Sequence, residues 1–91
     1  MSLQLDANGA LEFPCRYPVK ALTLAGEPAA EQVFTAVADA GVMVERERTT
    51  IRPSRNGNYQ SITMEIHVGS RDELETVYAR LQESDAVVMT L

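Results

Sequence analysis

Two hydrophobic periods divide this chain. Ile62, Met64, Ile66 and Val68 alternate with Ser61, Thr63, Glu65 and His67, the period of two that marks a strand with one buried face. Ala30, Val33, Phe34 and Val37 instead recur at i, i+3, i+4 and i+7, and Leu74, Val77, Tyr78 and Leu81 repeat that spacing. Each set makes one apolar helical stripe. The first helix is expected near Pro28–Ala40, opened by Gly26-Glu27-Pro28 and closed by Gly41, a residue suited to the left-handed position after a helix. The second is expected over Arg71–Glu83. Ser70-Arg71-Asp72-Glu73 reads as a capping box, in which the Ser70 hydroxyl accepts from the Glu73 amide and the Glu73 carboxylate from the Ser70 amide.

Three further strands follow from the pattern. Tyr17–Ala25 has Val19, Ala21 and Thr23 on one side and Lys20, Leu22 and Leu24 on the other, with apolar residues on both, as a central strand has. Val42–Arg52 is irregular: Val42 and Val44 share parity with Arg46 and Arg48, Ile51 with Glu45 and Glu47. A bulge near Val44 to Arg46 would restore one apolar face and suits an edge strand. Val87, Met89 and Leu91 alternate to the last residue. Asn56-Gly57 reads as a two-residue hairpin turn with two positive-φ residues, which sets Ile51 opposite Ile62, Thr49 opposite Met64 and Arg48 opposite Glu65. The last is an opposite-charge pair worth about 0.2–1 kcal/mol.

The resulting order, βαββαβ, folds with right-handed crossovers into a four-stranded antiparallel sheet of order 4-1-3-2 with both helices on one face. This is an α+β, ferredoxin-like sandwich. It occupies residues 13–91, and residues 1–12, polar and unpatterned around Asn8-Gly9, read as a flexible arm from which Leu11, with the adjoining Phe13, can dock on the body. At 91 residues a chain makes one domain with one sheet and one helical layer.

Composition removes several classes of function. No apolar run nears the roughly 20 residues of a membrane helix, and the N-terminus lacks the basic and apolar regions of a secretory signal. A lone cysteine, Cys15, closes no internal disulfide, so the cytoplasm is the default location. A net charge of −5 is ill suited to coating nucleic acid or a membrane. Arg46, Arg48, Arg52 and Arg55 nevertheless supply four of the eight basic residues, with Glu45 and Glu47 diluting the patch.

The chemistries this fold commonly carries lack their residues. Cys15 has no partner cysteine and His67 stands in another element, so no metal set assembles. The third strand offers one aromatic, Tyr59, where base stacking needs several. Leu24-Ala25-Gly26-Glu27-Pro28 is no phosphate cradle. No cofactor is implied. Ser61, Thr63, Glu65 and His67 share a sheet face and invite an enzyme reading through Glu65 and His67. Alternating polar residues are, however, what any solvent-facing strand shows, and neighbours on one face lie nearly 7 Å apart. The expectation is a non-catalytic domain.

Two surfaces remain. The turn and its flanks, Arg46, Arg48, Arg52, Ser54, Arg55, Asn58 and Tyr59, could receive a partner or an anion through guanidinium groups and backbone amides; equally, Asn-Gly turns exist to turn chains. The second surface follows from the cost of burying Lys20. If Lys20 faces outward, Leu22 does too, beside Thr63, Glu65, His67 and Val88 on the sheet face without helices. An exposed apolar patch there marks a contact for a protein partner or a weak homodimer.

The motifs also resemble those of a known group. Leu11-Glu12-Phe13-Pro14, Lys20, Pro53-Ser54 followed by Gly57-Asn58-Tyr59 and Ser61, and the ending Asp85 to Leu91 with Val87, Met89 and Leu91 resemble the YbeD-like (UPF0250) family of small bacterial proteins. Arg55-Asn56 departs from the serine and lysine usual there and keeps one positive charge. The resemblance implies a ferredoxin-like fold similar to the ACT regulatory domains of amino-acid metabolism, and no assigned activity. ACT domains usually bind an amino acid near a glycine after the first strand; Gly26 stands there without the surrounding proline-glycine-leucine pattern. A non-catalytic regulatory or interaction domain is therefore the first expectation, and an ACT-like amino-acid or metabolite sensor the second.

Overall fold

The computed structural model describes residues 12–91, so the expected arm and the docking of Leu11 lie outside the described residues. The elements are β1 (Cys15–Leu24), α1 (Glu27–Asp39), β2 (Met43–Pro53), β3 (Tyr59–Val68), α2 (Arg71–Glu83) and β4 (Val87–Thr90). They form one four-stranded sheet of order β2-β3-β1-β4, in which all three pairings are antiparallel. This is the expected topology.

The sheet is built around an unbroken ladder between β1 and β3, from Cys15↔Val68 to Leu24↔Tyr59. Odd-numbered β1 residues Val19, Ala21 and Thr23 are buried with Ile62, Met64, Ile66 and Val68 of β3. Ala30, Val33, Phe34 and Val37 of α1 and Leu74, Val77 and Leu81 of α2 close over them. Phe13 packs against this core. β1 begins two residues earlier than the pattern indicates and contains Pro18. The Lys20 carbonyl accepts from the Leu91 amide at 2.9 Å, so even-numbered β1 residues direct their backbone towards β4. β4 pairs only with Ala21, Leu22 and Thr23, and the N–H that Pro18 lacks would point past its end. Proline is tolerated in such a position.

The helix ends follow local chemistry. Pro28 lies in the first turn of α1, and Gly41 follows it at φ +84°. At α2 the Ser70 hydroxyl accepts from the Glu73 amide at 3.2 Å. The return bond differs from expectation: Glu73 Oε1 accepts from the Gly69 amide at 3.0 Å, one residue before the cap.

β2 shows the largest departure. The register from Ile51↔Ile62 to Pro53↔Gln60 is as expected near the turn, but it breaks between Glu45 and Thr50, where β2 advances five residues while β3 advances two. Thr49 therefore does not face Met64, and Glu45 rather than Arg48 stands opposite Glu65. The bulge falls after Glu45 and is larger than the single residue the parity argument needed.

Candidate functional site

Because both helices cover one side, even-numbered β1 residues project onto a sheet face that is bare among the described residues. Register arranges that face in rows. Met43, His67 and Arg16 form the first, Glu45, Glu65 and Pro18 the second, Thr50, Thr63 and Lys20 the third, and Arg52, Ser61, Leu22 and Met89 the fourth, with Tyr59 and Leu24 beyond. Lys20 is exposed and Leu22 half-buried, the outward sense that the cost of burying Lys20 requires.

The first two rows form a charge cluster. Glu45 and Glu65 stand directly opposite each other, and unpaired like charges there would repel. Arg48 resolves the conflict from within the bulge, its Nε 3.4 Å from Glu45 and its Nη1 3.5 Å from Glu65. Arg16 reaches the same carboxylates at 3.5 and 3.7 Å. Arg48 and Glu65 thus meet as the sequence suggested, through the bulge and not through register. Glu65 is only 8% exposed although it faces the solvent side, because the guanidinium groups cover it. Its Oε1 has no hydrogen-bond partner; the 3.7 Å approach of Arg16 is electrostatic.

His67 does not pair with Glu65. Its Nε2 lies 2.9 Å from Glu45 Oε1, across the strands, where register brings β2 and β3 together. That hydrogen bond from His67, reinforced by the nearby charges of Arg16, His67 and Arg48 against a smaller opposing effect of burial, holds the Glu45 carboxyl below its ordinary range. The Glu65–His67 enzyme reading thereby loses its geometry: the histidine's carboxylate is Glu45, and Glu65 is engaged by arginines. Sequence reasoning missed Glu45 as a member of this site because broken alternation signals a bulge but not its length or its start after Glu45, which set Glu45 beside His67. Among the described residues, no group of three or more His, Cys, Asp or Glu is arranged to hold a metal ion. Cys15 faces the helical side, and burial raises its thiol pKa, the opposite of an activated nucleophile.

The arginine surface divides between two sides. Arg46 turns to the helices, 3.5 Å from Glu31 and 4.2 Å over the Phe34 ring centroid, a cation–π stack. Arg48 joins the charge cluster. Arg52 and Arg55 make no ion pair among the described residues. The connection Ser54–Asn58 is not a two-residue turn with two positive-φ residues: only Gly57 has positive φ, at +78°, and its amide donates to the Ser54 carbonyl at 3.0 Å. The Tyr59 amide donates to Ser54 Oγ at 3.0 Å and the Asn58 amide to Asn56 Oδ1 at 3.2 Å. These amides are used within the turn and are not open to an anion.

The other end of the bare face is apolar. Leu24, Tyr59, Met89 and Leu91 are exposed at 59, 39, 51 and 58%, around Leu22. Val88 was expected beside Leu22, but a register shift at Leu22/Thr23 puts Met89 there. Val88 instead lines a hollow of about 370 Å³ with Leu24, Ala25, Pro28 and Ala29, next to the loop after β1. Gln60 of β3, buried at 7%, reaches that loop, donating from Nε2 to the Gly26 carbonyl at 2.9 Å and to Thr23 Oγ1 at 3.1 Å. A polar residue among apolar alternates gave no sign of this role.

An open four-stranded sheet with two helices on one face is the architecture of ACT-like ferredoxin sandwiches. The ACT domain of GTP pyrophosphokinase from Chlorobium tepidum superposes with a TM-score of 0.63 over 84% of this chain and 94% of that one, at 13% identity. Protein HP0495 from H. pylori superposes with a TM-score of 0.75 over 100% of this chain and 97% of that one, at 14% identity. In sequence, a UPF0250 protein of Paraburkholderia phytofirmans is 32% identical over 88% of this chain and 90% of its own length. One from Ectopseudomonas mendocina is also 32% identical, over 89% of each. The family described as "Protein of unknown function (DUF493)" matches residues 8–91. The chain belongs to this UPF0250 (DUF493) family.

Proposed function

We propose that this protein is a non-catalytic regulatory domain of the bacterial cytoplasm that works by protein contact through its bare sheet face. The observation that carries the reading is the group of exposed Leu24, Tyr59 and Met89 around half-buried Leu22 on that face. Contiguous apolar surface of this kind favours burial against another protein. Arg52, without an ion pair among the described residues, and the turn's Arg55 border it and add salt-sensitive attraction for an acidic surface. The ACT-like architecture supports a regulatory role, since solved relatives of the fold include a domain of a larger enzyme.

Sedimentation of the protein across the micromolar to millimolar range tests this. Concentration-dependent association is expected, removed by Leu22→Glu and by Met89→Glu and weakened by Arg52→Glu with Arg55→Glu more at low salt than at high. A monomer at every concentration, with no difference between wild type and Met89→Glu in binding any protein of its own cell extract, would falsify the reading.

A second reading, an ACT-like sensor of an amino acid or metabolite, has the hollow beside the loop after β1 in its favour. Against it, the Gly26 carbonyl is already engaged by Gln60 Nε2 and by the Ala30 amide. A thermal shift produced by a free amino acid and removed by Ala29→Trp would move the assignment to the sensor.

A further inference from the structure

The middle of the bare face has a polar hollow that neither the charge cluster nor the apolar group uses. Thr50, Thr63 and Lys20 form one row across β2, β3 and β1, and Arg52 and Ser61 begin the next. These five residues line a single depression of about 430 Å³. With strands about 4.8 Å apart, the row from Thr50 to Lys20 spans roughly 10 Å. The lining holds two cations, three hydroxyls and no carboxylate. The nearest acid along β3 on this face is Glu65, and its oxygens are committed to Arg16 and Arg48. Neither Lys20 nor Arg52 makes an ion pair among the described residues. A chain of net charge −5 thus keeps two cations without an ion pair among the described residues around one hollow, on either side of β3. Elsewhere on the same face, every close charge is matched.

We propose that this hollow binds the phosphate group of a small phosphate monoester. A phosphate monoester above its second ionisation carries a charge near −2 and presents three acceptor oxygens, which two cations and three hydroxyl donors match in charge and number. Arg52 can engage two oxygens through its planar fork, and Lys20 approaches as a point charge. A carboxylate, with a single charge and two oxygens, would leave donors unused. The organic part of the ester has an apolar side to leave by: Leu22 and Met89 continue the row of Arg52 and Ser61, and Tyr59 and Leu24 follow in the next, whereas the row beyond Thr63 holds the arginine-clamped carboxylates. The ligand therefore has an apolar body attached to its phosphate. This site lies on the face assigned above to protein contact but does not depend on that assignment.

Amide chemical-shift titration of the full chain with inorganic phosphate, phenyl phosphate and benzoate tests the proposal. Both phosphates are expected to shift the amides of Lys20, Thr50, Arg52, Ser61 and Thr63. Affinity for phenyl phosphate should rise severalfold from about pH 5.5 to pH 7.5, as the monoester gains its second charge near a pKa of about 6. Phenyl phosphate should bind more tightly than inorganic phosphate, and Met89→Ser should remove that difference. Lys20→Gln and Arg52→Gln should each weaken phosphate binding by about tenfold or more, while Arg55→Gln and Arg46→Gln leave it unchanged. Absence of phosphate-dependent shifts in the wild type, or equal weakening by Arg55→Gln, overturns the site. Benzoate binding as tightly as phenyl phosphate overturns the phosphate assignment, and equal affinity for the two phosphates overturns the ester. Sedimentation in the same samples separates this result from the contact reading, since phosphate binding to a monomer leaves the site standing.

Discussion

Glu45 shows how one side chain can depend on three elements. It sits on β2, opposite Glu65 of β3, and is kept ionised by His67 of β3, Arg16 of β1 and Arg48 of its own strand. Its carboxyl is depressed in the folded protein, so the unfolded chain binds protons there at higher pH than the folded one does. The stability this contributes is complete above the ordinary glutamate value of 4.5 and is lost as the pH falls through the lower folded value. Urea titrations between about pH 3 and 7 should show an acid-side loss that is smaller in Glu45→Gln; an unchanged profile would count against the cluster. Ser70 is a second residue with a separable effect. Its hydroxyl satisfies the Glu73 amide, and Ser70→Ala should cost about 0.5–2 kcal/mol in the same titration at neutral pH. A variant as stable as the wild type would mean that Glu73 and Gly69 cap the helix alone.

At the scale of elements, β2 is the unusual one. Its two ends pair regularly with β3, and residues 46–49 between them have no register partner. The bulge lets Arg46 reach the helical side while Arg48 reaches the bare face, which regular alternation forbids because both have the same parity. It also leaves an edge strand that is awkward for another chain to extend. Amides without ladder partners open at little cost. Hydrogen exchange should therefore be faster at 46–49 than at Val44 or Ile51, and slowest in the β1–β3 ladder. Uniform protection along β2 would mean that the bulge closes in solution.

Over the described residues the molecule is a two-layer sandwich, one sheet with both helices on one face. One helical layer covers the core, and the other side is divided into a charged end, a polar middle and an apolar end. That division gives the two faces of β1 opposite tolerances. Leu22→Glu changes a side chain outside the core and should leave thermal unfolding cooperative, whereas Ala21→Glu places a charge among Ile62, Val33 and their neighbours and should abolish folding. If Leu22→Glu also prevents folding, Leu22 belongs to the core and the contact surface is lost with it.

Local pattern by itself determined the elements, their order and the apolar part of the buried set. Period two and period 3.6 reflect the geometry of each backbone, and burial of one stripe per element leaves few ways to assemble them. The outward sense of Lys20 was legible too, because burying an unpaired ammonium is costly whatever the fold. Tertiary structure alone decided the partners. Glu45 meets His67 because β2 is bulged, Met89 and not Val88 meets Leu22 because β4 slips by one residue, and Gln60 is buried because it ties the Gly26 loop to the sheet. Each depends on register between segments distant in sequence. Register is set by the sum of packing over whole strands, and no single residue announces it.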